Sequence, residues 1–382
     1  MIAIGFTGPG MKYVRLGLAL VGILFFTDMA VAQTIKTYSG SPVEFLGTIE
    51  QRADLSAIGQ IHSFLVIGSD EAVGKKHRKK NIVQLLQGDG ENRYVVHSQI
   101  ALCIPEDADG NCKKKHQRKE MDIEGIAVDG STVYVIGSHS TTRKKIRCEP
   151  TDSCTLDCKK SLSYAENRAI LDEPFSASKS QSRSGRDRLV RFHLDASGAA
   201  SKMEEISLGN IIDDLPLFRP FSKIPGKENG VNIEGIAVRG GILHVGFRSP
   251  VLRGNYVPVL KLRFDALVVS KKDIVYVKLG GRGIRDLVRV SDGFLILAGP
   301  VGNDGATYQL YHWDGGDMVP GDGPRANPPG ALKLLGVIAP PPCGRPEGIV
   351  VQQEDATSYK VIIVFDGAAD DVAHRFTIIS KP

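Results

Sequence analysis

Long apolar runs are scarce in this chain. The marked one, Leu16 to Phe26, falls well short of the ~20 residues that a membrane-spanning helix needs. Lys12 and Arg15 precede it and Ala30-Val31-Ala32 follows, so residues 1–32 read as a signal peptide rather than an anchor. The mature protein is therefore expected to be exported, periplasmic or secreted, with no membrane span of its own. No cysteine comes before Cys103, so no lipid acceptor stands just after the signal. There is no Gly-x-Ser-x-Gly elbow, and Ser138-His139-Ser140 has no partner acid at a diagnostic spacing. Gly281-Arg-Gly-Ile-Arg-Asp286 lacks the third glycine of a dinucleotide loop. Asp107-Ala-Asp109-Gly-Asn111 has its glycine too early for a calcium-binding loop, and no distal glutamate follows.

Cys-x-x-Cys is also absent, which counts against a zinc site. An exported chain makes disulfides the better reading of Cys103, Cys112, Cys148, Cys154, Cys158 and Cys343. Cys103 with Cys112 is the expected first bridge, and a second is expected among Cys148, Cys154 and Cys158; six cysteines allow roughly fifteen pairings.

Across the 382 residues, 42% are hydrophobic and 24% charged, as in an ordinary globular protein, and 42 glycines allow many tight turns. The informative feature is internal repetition. Asp122-Ile-Glu124-Gly-Ile-Ala-Val and Asn232-Ile-Glu234-Gly-Ile-Ala-Val are near-copies, with weaker versions at Gly283-Ile-Arg285-Asp286-Leu-Val and Arg345-Pro-Glu347-Gly-Ile-Val. In each, a carboxylate precedes a short apolar strand, and a second strand follows a turn such as Gly240-Gly241. A repeated unit of four short antiparallel strands predicts an all-β protein, a β-propeller of five four-stranded blades, six if two have been merged. Residues 33–382 form a single domain in this scheme. Its last blade is one strand short, and Val43 to Ile49 is expected to supply that strand and close the ring.

One insertion interrupts the rhythm, at about residues 141–186, within the second blade. It carries three cysteines and the run Ser176-Ala-Ser-Lys-Ser-Gln-Ser-Arg-Ser-Gly-Arg186, which predicts a stapled first half and a mobile second half. Three basic clusters, Lys75 to Lys80, Lys113 to Lys119 and Arg143 to Lys145, lie in connections on one face and would gather an anionic small molecule or a polyanion. They read equally as solvated loops. Nucleic acid is excluded by export and by the lack of interleaved aromatics. The formal charge is a modest +5, and a monomer is expected.

Strand A is innermost in a propeller blade, so its first residues rim the central channel. Glu124, Glu234, Asp286 and Glu347, with Asp54, are expected to converge there as ligands or catalytic carboxylates. Such a ring needs counter-charge. A hard cation such as Ca²⁺ would serve, as would arginines, and Arg248, Arg282 and Arg285, with His139, are the groups expected to hold an anionic substrate. The alternative role for each carboxylate is to cap backbone N–H groups of its own or the next blade.

Taken together, Ile-Glu-Gly-Ile-Ala twice, Val-Gly-Phe-Arg-Ser-Pro, Gly-Arg-Gly-Ile-Arg-Asp-Leu, Leu-Ala-Gly-Pro and Pro-Glu-Gly-Ile resemble a bacterial family, domain of unknown function 3616. That resemblance implies a propeller-like β fold and no established activity. The Glu-Gly-Ile strand start is also similar to that of exported phytase-like and lactonase-like propellers, which use channel carboxylates to hold a metal. These observations lead to the expectation of a metal-dependent hydrolase acting on a phosphoester or lactone, with a non-catalytic module that binds an anionic ligand or envelope partner as the alternative.

Overall fold

The computed structural model describes residues 35–74, 79–103, 119–144, 146, 162–173, 185–302, 305–322, 328–368 and 370–379. The signal segment, Cys112, Cys148, Cys154, Cys158, most of the three basic clusters and most of the insertion lie outside them, and so do the expectations that rest on those residues. Cys103 and Cys343 are both disulfide-bonded. No helix among the described residues is long and apolar enough to cross a membrane.

Three short strands come first: β1 (Thr37–Ser39), β2 (Ser41–Pro42) and β3 (Glu44–Leu46). The first blade is β4 (Leu55–Ile61), β5 (Phe64–Ser69), β6 (Ile82–Gly88) and β7 (Arg93–Ala101). The second is β8 (Ile123–Asp129), β9 (Thr132–Gly137), β10 (Arg188–Leu194) and β11 (Ala200–Ser207). The third is β12 (Asn232–Arg239), β13 (Ile242–Ser249), β14 (Tyr256–Leu262) and β15 (Ile274–Lys278). The fourth is β16 (Gly283–Val290), β17 (Gly293–Gly299), β18 (Tyr308–Trp313) and β19 (Leu332–Ala339). The fifth has β20 (Arg345–Glu354), β21 (Ser358–Asp366) and β22 (Ala373–Ile379). The innermost strands meet in order, β4 to β8, β12, β16, β20 and back to β4, so the ring is closed.

Alternating side chains leave both faces of a blade apolar, and five separate hydrophobic clusters fill the five interfaces between blades. Between the first and second blades, for example, Val66, Leu85, Val135 and Phe192 are fully buried together. Between the third and fourth, Val259, Phe294, Ile296 and Trp313 do the same.

Closure differs from the sequence expectation. The strand that completes the fifth blade is β2, antiparallel to β22 through Ser41↔Arg375 and Pro42↔His374. Val43 to Ile49 does not form one strand there. Val43 N–H still bonds to Ala373 O at 2.8 Å, but β3 then crosses to the first blade and runs parallel to β7. Upstream, β1 runs parallel to β19 on the outer edge of the fourth blade. Ten residues thus bind the outer edges of three consecutive blades, a belt rather than one closing strand. The sequence pattern could not show this, because strands of two or three residues carry no period.

Within the insertion, the described part holds a short helix, α1 (Tyr164–Asp172), started by a capping box of Ser163 and Glu166. Arg143 fastens it through bonds to Ile170 O at 2.7 Å and Glu173 O at 3.1 Å. A second short helix, α2 (Gly209–Asp213), lies in the connection from the second to the third blade.

Candidate functional site at the propeller axis

Every innermost strand carries a register shift near its start, and the shifts coincide in the repeat. They fall between Leu55 and Ala57, Ile123 and Gly125, Ile233 and Gly235, Ile284 and Asp286, and Pro346 and Gly348. The extra residue of each bulge is Ser56, Glu124, Glu234, Arg285 or Glu347. A bulge re-aims the side chain it carries, and five in a ring make a five-membered set at one mouth of the channel. The glycine after each of the three glutamates has a packing reason. A Cβ on Gly235 would lie 2.8 Å from the Asp286 Cα, and one on Gly348 3.1 Å from the Ile58 nitrogen, so inner strands of adjacent blades approach closely there.

Oxygens of Glu124, Glu234 and Glu347 lie within 4.8 Å of one another. Arg285 reaches both neighbours: its Nη1 is 2.8 Å from Glu234 Oε2 and its Nη2 pairs with Glu347 Oε1. The first of these is a contact of charges without hydrogen-bond alignment. Arg248 Nη1 donates to Glu234 Oε1 at 2.8 Å, while its Nε and Nη2 donate to the Pro300 and Gly302 carbonyls of the fourth blade. Asn232 also donates to Glu234 Oε1 at 2.7 Å. Only 2% of Arg285 and 3% of Glu234 is exposed, so these charges meet in a low-dielectric setting. Burial and the neighbouring Arg248 lower the Arg285 pKa, opposed by Glu234. Arg248 keeps its proton more firmly than usual: burial opposes this, but Glu234 outweighs it.

Glu124 differs. It is half-buried and forms no hydrogen bond or ion pair with a described residue. Burial first, then the charges of Glu234, Asp122 and Asp70, push its carboxyl well above the usual range. Above the ring lies a second acidic group on the first, second and fifth blades. Burial, with Asp122, Asp366, Asp54 and Glu71 around it, raises Asp70 to about 8. Asp122, at a left-handed φ of 55°, is held by Ser138 Oγ and lies 3.4 Å from Arg186 Nη1.

Several expected residues stand elsewhere. Asp286 is one position past the ring and faces backbone, with Oδ1 accepting from Leu287 N–H at 2.7 Å and Oδ2 from Ile349 N–H at 2.8 Å. The ring position in that blade belongs to Arg285, and in the first blade to Ser56 rather than Asp54. His139 is fully buried, its Nε2 3.6 Å from Asp213 of α2, away from the ring. Arg282 donates to Thr307, from Nε to O at 2.7 Å and from Nη2 to Oγ1 at 2.9 Å. Of the basic clusters, Lys79 pairs with Glu120 and Glu71, and Arg143 with Glu228. These two cations are thus engaged within the protein. Asp70, Asp122 and Asp366 were not among the expected site residues, although hairpin pairing already puts the strand ends carrying Asp70 and Asp366 on the face of the strand-A carboxylates, and Asp122 stands two residues before Glu124.

A calcium ion shared by the three glutamates fits poorly. Ca²⁺ takes roughly 6–8 oxygen ligands, whereas both oxygens of Glu234 already face guanidinium or amide groups, and the Arg285 cation lies against two of the three carboxylates. The arginines already supply the counter-charge an ion would bring.

Past the ring, the axis opens into a cavity of about 190 Å³ lined by the inner strands, among them Ile58, Ile126, Ile236, Val288, Arg289 and Val350.

Residues 54–379 match a family described as "Protein of unknown function (DUF3616)". The chain belongs to that family. No curated protein matches it. Among solved structures, a GH43 β-1,3-galactosidase with galactodeoxynojirimycin is similar at 10% identity over 90% of this chain and 94% of its own, TM-score 0.42. A GH32 β-fructofuranosidase of Bombyx mori is similar at 9% identity over 90% of this chain and 61% of its own, TM-score 0.39. A mannose phosphorylase of Leishmania mexicana gives 11% identity over 90% and 87%, TM-score 0.37. At these values no activity is carried across from them.

Proposed function

We propose that this member of the family is an exported hydrolase whose reaction centre is the glutamate ring. The observation that carries the proposal is the unequal pairing of the three carboxyls. Glu234 has both oxygens engaged and serves to hold Arg248 and Arg285. Glu347 has one oxygen on Arg285, leaving the other to accept a proton from water. Glu124 has no hydrogen-bond or ion-pair partner among the described residues, and burial holds its carboxyl above the normal range, the state a general acid needs.

The chemistry follows from that division. Glu347 takes a proton from a water as its oxygen attacks the scissile carbon, and Glu124 gives its proton to the departing oxygen. The two carboxyls exchange protonation states, and transfer through solvent resets them. Buried Arg285 offsets negative charge developing between them. The mouth around Asp70 is lined by the carboxyl groups of Asp54, Asp122 and Asp366 and is acidic rather than basic, which favours an uncharged ester such as a lactone over a phosphoester. A panel of lactones, neutral esters and phosphoesters tests this: turnover of a neutral ester that Glu124→Gln abolishes is expected. Turnover confined to phosphoesters, or indifferent to Glu124→Gln, overturns the proposal.

A further inference from the structure

We infer that Asp286 is the positioning residue of the ring, a single carboxylate that sets three of the five ring side chains by gripping the strands that carry them. The inference rests on the hydrolase proposal for its functional meaning and on geometry alone for its substance. Asp286 accepts from the N–H groups of Leu287 and Ile349 at 2.7 and 2.8 Å, and the Ile236 N–H faces it from the neighbouring strand without forming a full hydrogen bond. These donors belong to the innermost strands of the fourth, fifth and third blades. Each lies two residues past a ring residue: Ile236 past Glu234, Leu287 past Arg285, Ile349 past Glu347. Those three ring residues are the ones joined by the buried ion pairs.

The inner edge of a propeller's first strand has no neighbour in its own sheet, so its N–H groups need another acceptor. Asp286 provides one for the fourth and fifth blades and presents its carboxyl to the Ile236 N–H of the third, and it is 2% exposed. The repeat shows that this is a departure from symmetry. At the equivalent position the second, third and fifth blades carry Gly125, Gly235 and Gly348, and the first carries Ala57, none of which can accept through a side chain. The acceptor therefore stands beside the blade whose ring residue is a cation needing two anions brought to it. A tilt of either neighbouring strand would carry Glu234 or Glu347 away from Arg285, and loss of position at a reacting group is costly in rate.

The clamp can be tested without substrate. In the unmodified protein, amide exchange at Ile349, and to a lesser extent at Ile236, should be about 3- to 10-fold slower than at uncapped amides of the same inner edges, the value of one net hydrogen bond. In Asp286→Gly, that protection should vanish, and the slow-exchanging Arg285 guanidinium resonance, assigned by its loss in Arg285→Lys, should broaden or disappear while the β spectrum remains. Asp286→Asn, which keeps one oxygen acceptor, should restore part of both signals. If the amide protection is lost but the Arg285 resonance is unchanged, Asp286 serves only its local backbone and the inference fails. Should Asp286→Gly not fold, the exchange rates of the unmodified protein and the Asn variant still decide it. An absence of turnover in the ester panel would remove the hydrolase proposal and leave these measurements untouched.

Discussion

Arg285 occupies in the fourth blade the bulge position that Glu124 occupies in the second, and the two have opposite surroundings. Arg285 faces two carboxylates, Glu234 and Glu347. Glu124 faces further acidic groups, Glu234 and Asp122, whose effect outweighs the more distant Arg285, and it forms no ion pair among the described residues. One position in the repeat thus holds a cation set between two carboxylates in one blade and, in another, a carboxyl with no ion-pair partner among the described residues. A purely structural ring would gain nothing from that inequality, which is why the predictions turn on these two residues.

Glu124→Gln should leave stability at neutral pH unchanged or slightly higher, because it removes a half-buried acid that has no ion-pair partner among the described residues. Hydrolysis of the neutral ester should fall to background. Denaturant midpoints alongside kcat check both halves.

Glu234→Gln should cost about 3–5 kcal/mol, since it leaves Arg248 and Arg285 buried with one fewer anion. Arg285→Met should cost a similar amount, and the double variant Arg285→Met with Glu347→Gln should recover part of the loss, because a buried pair replaced together leaves no charge exposed to the interior. Urea unfolding of the unmodified protein, Arg285→Met, Glu347→Gln and the double variant measures the coupling.

Stability should fall between pH 6.5 and 8. The Asp70 carboxyl, raised to about 8 in the fold, binds more protons there than its unfolded counterpart. Its contribution is complete at low pH and is lost as pH rises through the folded value. Asp70→Asn should flatten that limb. His244, buried against Phe294 with ring centroids 4.5 Å apart, is lowered to about 4 chiefly by burial. Its unfolded form binds the extra proton below pH 6.5, so from about pH 4 to 6.5 it offsets the Asp70 loss, which begins near pH 4. The net fall is therefore confined to pH 6.5 to 8, and His244→Phe should extend it down to about pH 4. Unfolding curves across pH 4 to 8 separate the two.

Millimolar calcium should not raise the melting temperature, and chelation should not lower it, since guanidinium groups already neutralise the ring. A calcium-dependent rise abolished by Glu234→Gln would restore the metal-dependent alternative.

A chain beginning at Glu50 should be much less stable than one beginning at Gln33, and more prone to aggregate. The deletion uncovers the outer edges of the fourth, fifth and first blades together. A truncated protein with an unchanged denaturant midpoint would show that the belt is dispensable.

The amino-acid sequence by itself determined the propeller, its five blades, the innermost strands and the convergence of Glu124, Glu234 and Glu347. All of these follow from local apolar alternation and from repetition of one strand start, which any section of the chain displays unaided. The exact ring was decided by tertiary structure. Reading by carboxylate type put Asp286 and Asp54 in the ring itself, whereas the bulge, a property of pairing between two strands, turned Arg285 and Ser56 inward instead. Charge balance was equally hidden, because Arg285 meets Glu234 and Glu347 only when three blades close around an axis. The belt of β1, β2 and β3 is the extreme case: its strands are too short to have a pattern, and their places are set wholly by the edges that receive them.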